Sequence, residues 1–206
     1  MKHLSTYQAE IAAPNATSII NSYRSFGYDL NTALADILDN SISANATKVW
    51  IEFIWNGRDS SIGILDNGDG MSKDELVLAM TPGSKNPDDQ RPPKDLGRFG
   101  LGLKTASFSQ CKSLGVATKR DNFVITRSWD IDYVNEVNKW ILLDYIPNSA
   151  SLEKLDSLDT GTLVYWTKLD RIVGNSSSDN YEIKSLFYSL LVNARSHLGL
   201  VFHKFI

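Results

Sequence analysis

A single cysteine, Cys111, is all the chain carries, so no disulfide closes within it and no Cys/His cluster has zinc spacing. That thiol sits in a segment, 101–111, that reads as a helix with no histidine nearby, which marks it as a packed core thiol rather than a nucleophile. No run approaches the roughly 20 apolar residues of a membrane span, and residues 1–14 lack the continuous apolar stretch of a secretory leader. An excess of either charge is also missing: 21 Lys and Arg against 24 Asp and Glu leave −3, with no basic stripe to mark a nucleic-acid surface. Internal repeats are absent. The expectation is a reduced, cytoplasmic protein with no membrane partner, its 206 residues sufficient for one domain with a sizeable core.

What is present alternates between two periodicities. Ile19, Ile20 and Tyr23 recur at helical spacing after Pro14, and Leu34, Ile37 and Leu38 do so after a cap at Asp29 or Asn31. Residues 48–55 alternate as a strand, with 60–65 as the hairpin partner across Asn56-Gly57. A helix begins near Ser72, where Asp74 and Glu75 suit the dipole. Further strands are expected at 114–118, 123–129, 140–145 and 161–167, and a closing helix at 181–198. Four of the six prolines fall at Pro82, Pro87, Pro92 and Pro93, amid polar residues; so long a polar segment inside a domain reads as a lid. Helices mixed with hairpin-linked strands give an α+β fold, a two-layer sandwich with helices on one face of a mixed, mostly antiparallel sheet.

Three local patterns carry chemistry. Asp36 and Asn40 are four apart on one helix, so an acid and an amide share a face and can hold a hydrated cation and a water between them; a merely solvated polar face has the same spacing. Asp66-Asn67-Gly68-Asp69-Gly70-Met71 follows an apolar strand. Its glycines let a flat ligand approach the main chain, and a buried carboxylate at a strand end accepts from an exocyclic amine. A simple tight turn is the alternative; a calcium loop would need more oxygen ligands and a downstream Glu. Gly97-Arg98-Phe99-Gly100-Leu101-Gly102-Leu103-Lys104 runs into a helix, where free N–H groups and the dipole form a phosphate site. Close packing of that helix on a neighbour is the alternative. The pattern is neither a Walker loop nor a dinucleotide fingerprint.

Taken in order, these segments resemble the GHKL (Bergerat-fold) ATPases, the group that includes type II topoisomerases, MutL, the ATP-dependent heat-shock chaperones, MORC proteins and sensor histidine kinases. Asp36-Ile37-Leu38-Asp39-Asn40-Ser41 resembles the first motif, residues 66–71 the second (DxGxGM), 97–104 the third (GxxGxGxK), and Gly161-Thr162 the fourth. The resemblance implies that Asn40 holds Mg²⁺ against the phosphates of ATP or ADP. It gives Asp66 the adenine amino group, with Thr162 sharing its water network; Gly68 and Gly70 let the base approach, and Met71 packs on it. Gly97, Arg98, Phe99, Gly100, Leu101 and Gly102 form the phosphate loop, with Lys104 beyond it. Ser84 and Lys85 belong to a lid at about 81–98.

Asp36 would be the base that activates water. Hydrolysing members of the group usually carry Glu there, so the carboxylate here is one methylene shorter.

Within the group the motif wording is most similar to MORC proteins and their bacterial relatives. That kinship implies a nucleotide switch that self-associates on binding ATP, in a longer protein whose downstream domains act on DNA. The apolar end, Val201 to Ile206, fits an N-terminal piece of such a protein, in which the next domain supplies a lysine to the γ-phosphate. A histidine-kinase-type phosphotransfer domain is the alternative, but His3, His197 and His203 are the only histidines and none sits on a preceding helix. A regulatory domain that binds ATP without hydrolysing it, and a degenerate scaffold that binds nothing, complete the set; the intact glycines speak against the last.

Overall fold

A computed structural model of the chain describes residues 14–25, 27–84 and 102–205. Five strands form one sheet in the order β1-β2-β5-β3-β4. They are β1 (Val49–Ile54), β2 (Ser61–Asp66), β3 (Ser113–Arg120), β4 (Phe123–Asp130) and β5 (Gly161–Thr167). Every pairing is antiparallel. The apolar run of β5 lies at the centre, as a strand buried on both faces must.

Alternation along the strands sorts the side chains into rows. On one face Ile62, Trp166 and Leu114 lie directly opposite one another across β2, β5 and β3, and Ile64, Val164 and Val116 form the next row. Both rows join the main core with residues of α1 (Ala16–Arg24), α2 (Leu30–Ser43), α4 (Gly102–Phe108) and α7 (Tyr181–Val201). The expected α+β sandwich is thus the one observed. The other face adds a smaller cluster, in which Leu65, Leu163, Ala117 and Tyr165 pack with Ile146 and with Leu155 of a short helix, α6 (Ala150–Ser157). Glycine lets these segments sit close. A Cβ on Gly63 would lie 2.8 Å from Ser151 Oγ, and one on Gly115 would lie 2.9 Å from Ile146 Cδ1.

Local signals set the helix starts. The Asp29 side chain accepts from Thr32 N–H, and Asp29, of the two candidates, is the cap of α2. Ser72 and Glu75 form a reciprocal capping box on α3 (Lys73–Met80), a device that stabilises a helix by about 1 kcal/mol. The strand expected at 140–145 is not formed. Only Leu143 pairs with β4 through the backbone, exchanging both bonds with Ser128. Trp140 packs edge-on against Trp129, with centroids 5.8 Å apart. Asp130, which caps through the N–H groups of Asp132 and Tyr133, starts a helix that the periodicity did not reveal, α5 (Ile131–Val137). Cys111 lies just beyond α4, fully buried, and burial pushes its thiol far above the usual range. It is the inert core residue expected.

Candidate functional site

The helix-facing rows turn polar at one end of the sheet. Two residues beyond Ile64, Val164 and Val116 come Asp66, Thr162 and Thr118, again directly opposite one another. Parity alone therefore delivers one carboxylate and two hydroxyls to the end of the face that α2 covers.

Asp66 is 6% exposed and is heavily bonded. Its Oδ1 accepts from the backbone N–H of Gly68 at 2.9 Å and of Thr162 at 3.2 Å, and its Oδ2 accepts from Ser41 Oγ at 2.8 Å. Burial still holds its carboxyl above the ordinary range, the three hydrogen bonds opposing that shift in part. Two oxygens offer about four acceptor positions, so one on Oδ2 is left for a donor. Thr118 sits beside this group, wholly buried. Its Oγ1 takes the N–H of Met71 at 2.8 Å and lies 3.1 Å from Gly161 O and 3.3 Å from Thr162 Oγ1.

The 66–71 loop is wedged rather than open. A Cβ on Gly68 would lie 2.7 Å from Ala44 O, and one on Gly70, at φ +63°, would collide with Lys119 O. These glycines bring the loop's backbone against its neighbours; Met71, half-buried at its end, packs against the core.

On α2 the expected pair shares a face. Asn40 donates through Nδ2 to Asp36 O at 2.9 Å; with the nitrogen so engaged, its amide oxygen is the end suited to a hard cation. Among the described residues no three His, Cys, Asp or Glu cluster as a metal cage, so a Mg²⁺ here would draw most of its oxygens from phosphate and water. Asp36 is half-buried, and its Oδ2 lies 4.0 Å from where a Cβ on Gly102 would stand. The base candidate thus faces the start of α4. Burial raises its pKa most, the Tyr28 hydroxyl lowers it, and the Asp39 charge raises it again.

Lys104 is 1% exposed, and its Nζ donates to Ala79 O at 2.7 Å. The ammonium thereby ties α4 to the last turn of α3. Ser84 is half-buried, at the last described position before residue 102. Lys85, Gly97, Arg98, Phe99, Gly100 and Leu101 lie outside the described residues. Sequence reasoning missed Ser41 and Thr118. The available signal was a polar residue at a core-facing position: Ser41 continues the Leu34, Ile37 stripe, and Thr118 continues Leu114, Val116.

The structure thus brings together a buried carboxylate with three protein donors at a strand end, a helix carrying Asp36 and Asn40, and the start of another helix that Asp36 faces. Comparison with known proteins identifies the family. The model described as histidine kinase-, DNA gyrase B-, and HSP90-like ATPase matches residues 28–162. The chain belongs to this GHKL ATPase family. It is similar to the ATPase morc-1 of Caenorhabditis elegans, 29% identical over 93 residues, which is 45% of this chain and 10% of that protein. It is also similar to the DNA mismatch repair protein MutL of Dictyoglomus turgidum, 30% identical over 114 residues, 53% of this chain and 19% of that protein. A shorter stretch of 49 residues, 24% of this chain, is 41% identical to MutL of Thermosipho melanesiensis and covers 9% of it. The chain spans less than a fifth of the length of each of these relatives.

Proposed function

We propose that this chain binds ATP through Mg²⁺ and hydrolyses it slowly, as the nucleotide switch of a larger MORC-like or MutL-like protein. The observation that carries the reading is the spare acceptor position on Asp66 Oδ2, in a row with Thr162 and beneath α2. Asp66 takes the amino group of adenine and Thr162 supports it. Met71 lies against the ring, and Gly102 with the residues before it, 97–101, receives the phosphates. Asn40 holds Mg²⁺, which neutralises phosphate charge when bound. Ser84 and Lys85, in a lid at about 81–98, close over the nucleotide. Residues 1–206 form one domain of this kind within that larger protein. Nucleotide-driven self-association and a DNA partner reached through further domains are carried over from the MORC and MutL relatives.

For hydrolysis Asp36 is the acceptor of the water proton. A carboxylate held above the ordinary pKa range is a better base than an exposed one, provided that it is still ionised at neutral pH. Being a methylene shorter than Glu, it reaches the water from further back, which is why slow turnover is proposed. A second reading, binding without hydrolysis, rests on that same shortness.

Calorimetric titration with ADP and with a non-hydrolysable ATP analogue, with and without Mg²⁺, tests the site. Wild-type protein should bind both. Asp66→Asn should abolish binding, and Asn40→Ala should weaken it mainly when Mg²⁺ is present. Asp36→Ala should bind normally and lose turnover in the longer protein. Failure of wild-type protein to bind adenine nucleotide would end the reading; binding without turnover that Asp36 controls would leave the second.

A further inference from the structure

The proton count around Thr118 fixes what the neighbouring Thr162 offers a ligand, and this inference rests on the adenine site proposed above. Thr118 Oγ1 has one proton and two lone pairs. One lone pair takes Met71 N–H at 2.8 Å. Gly161 O, 3.1 Å away, has no proton to give, so that bond uses the proton of Thr118. The remaining contact, 3.3 Å to Thr162 Oγ1, then has only one consistent direction: Thr162 donates and Thr118 accepts. The arrangement satisfies every polar position of a hydroxyl that is wholly buried, and the opposite choice would leave Gly161 O facing a lone pair.

With its proton spent inward, Thr162 Oγ1 has only lone pairs left to present. Asp66 beside it is likewise acceptor-only, its three bonded positions all taken by protein donors. We infer that Thr118 is a specificity-determining positioning residue, which makes the Asp66–Thr162 edge a wall of acceptors and so selects a purine with a 6-amino donor against one with a 6-oxo acceptor. It does so without touching the base. A 6-oxo purine would set oxygen against oxygen, and a buried mismatch of that kind is what a polar site discriminates best.

The test compares ADP with inosine diphosphate, which differ at this edge and share ribose, phosphates and ring area. Thr118→Val keeps the shape and removes the hydroxyl. Thr162 is then free to turn its proton outward towards a 6-oxo group, and the ADP to inosine diphosphate affinity ratio should fall by about tenfold or more. Because Thr118 also holds Met71, both affinities should drop, but Met71 packs on either ring alike and that loss cancels in the ratio. Thr118→Ser restores the hydroxyl and should restore the wild-type ratio, which a purely steric role for Thr118 would not do. Thr162→Val should narrow the ratio in the same way, and adding Thr118→Val to it should change the ratio no further. A ratio unmoved in Thr118→Val overturns the inference while leaving the adenine site standing. If Thr118→Val does not fold, an unmoved ratio in Thr162→Val or a narrowed one in Thr118→Ser overturns it instead. Wild-type protein that binds neither nucleotide removes the adenine site, and this inference with it.

Discussion

Ser41 on α2 donates its hydroxyl to Oδ2 of Asp66 at the end of β2, across 2.8 Å, and both residues are buried. The bond joins the helix that carries Asp36 and Asn40 to the strand end that presents the Asp66 carboxylate. Ser41→Ala leaves that oxygen short of a donor in a buried place. Such a loss costs about 1.5–3 kcal/mol when the acceptor is charged. Urea unfolding should show it, with ADP affinity weakened by about fivefold as Asp66 loses its orientation. In an Asp66→Asn background the same substitution should cost much less, since the charge is gone. Equal costs in the two backgrounds would mean that the two groups are not coupled.

Asp66 itself is expected to work against the stability of the fold. Its folded pKa is raised by burial above the unfolded value, so the folded protein prefers the protonated form. The associated stability is fully present below the unfolded pKa and is lost as pH rises through the folded one. The whole penalty is in force only above the folded pKa. Asp66→Asn should therefore raise the unfolding temperature by a few degrees at pH 7 while removing nucleotide binding. The gap to wild type should close as pH falls below the folded pKa, where Asp66 is neutral too. Over that descent the wild type's ADP affinity should fall, because a protonated carboxyl surrenders its acceptor. A substitution that destabilised at pH 7 would contradict this account.

The elements that were legible in the sequence are those whose signal is local. Asp29, Ser72 with Glu75, and the alternation of 48–55 each act within a few residues, and each produced the expected helix start or strand. The site was legible in part for the same reason, since Asp36 with Asn40 and the 66–71 loop are short continuous patterns. What stayed hidden depends on pairing between distant strands. Thr118 becomes part of the site only because its register on β3 sets it opposite Thr162, which lies opposite Asp66. The 140–145 segment has strand composition, but its tryptophan and Ile146 are drawn to Trp129 and to the space above Gly115, so tertiary packing decides its path.

Lys104 offers a sharp contrast between a ligand contact and a structural one. Its ammonium is buried and donates to Ala79 O at 2.7 Å, where the last carbonyls of α3 carry partial negative charge. Lys104→Met keeps the length and removes the charge. It should lower stability by about 2 kcal/mol or more, the charged hydrogen bond to Ala79 O alone being of that order. Its effect on adenosine, ADP and the ATP analogue should be one common factor. An effect that grew with each added phosphate would place the ammonium on the nucleotide instead.

Two glycines with nearly the same backbone separate conformational strain from close approach. Gly70 has φ +63° and its added Cβ would collide with Lys119 O, whereas Gly83 has φ +65° and nothing within 4 Å of its added Cβ. Alanine at either position meets the left-handed penalty of about 1 kcal/mol. Only at Gly70 must the chain also move, since the obstacle is a backbone carbonyl of a buried strand residue and not the end of a flexible side chain. Gly83→Ala should therefore cost about 1 kcal/mol by urea unfolding and leave ADP binding intact. Gly70→Ala should cost about 3 kcal/mol or more and weaken ADP binding, because the loop that must shift carries Met71 and is anchored at Asp66. Similar costs for both would show that the 66–71 loop can lift away from β3 freely, and the wedged packing that places Met71 beside Thr118 would then have no energetic weight.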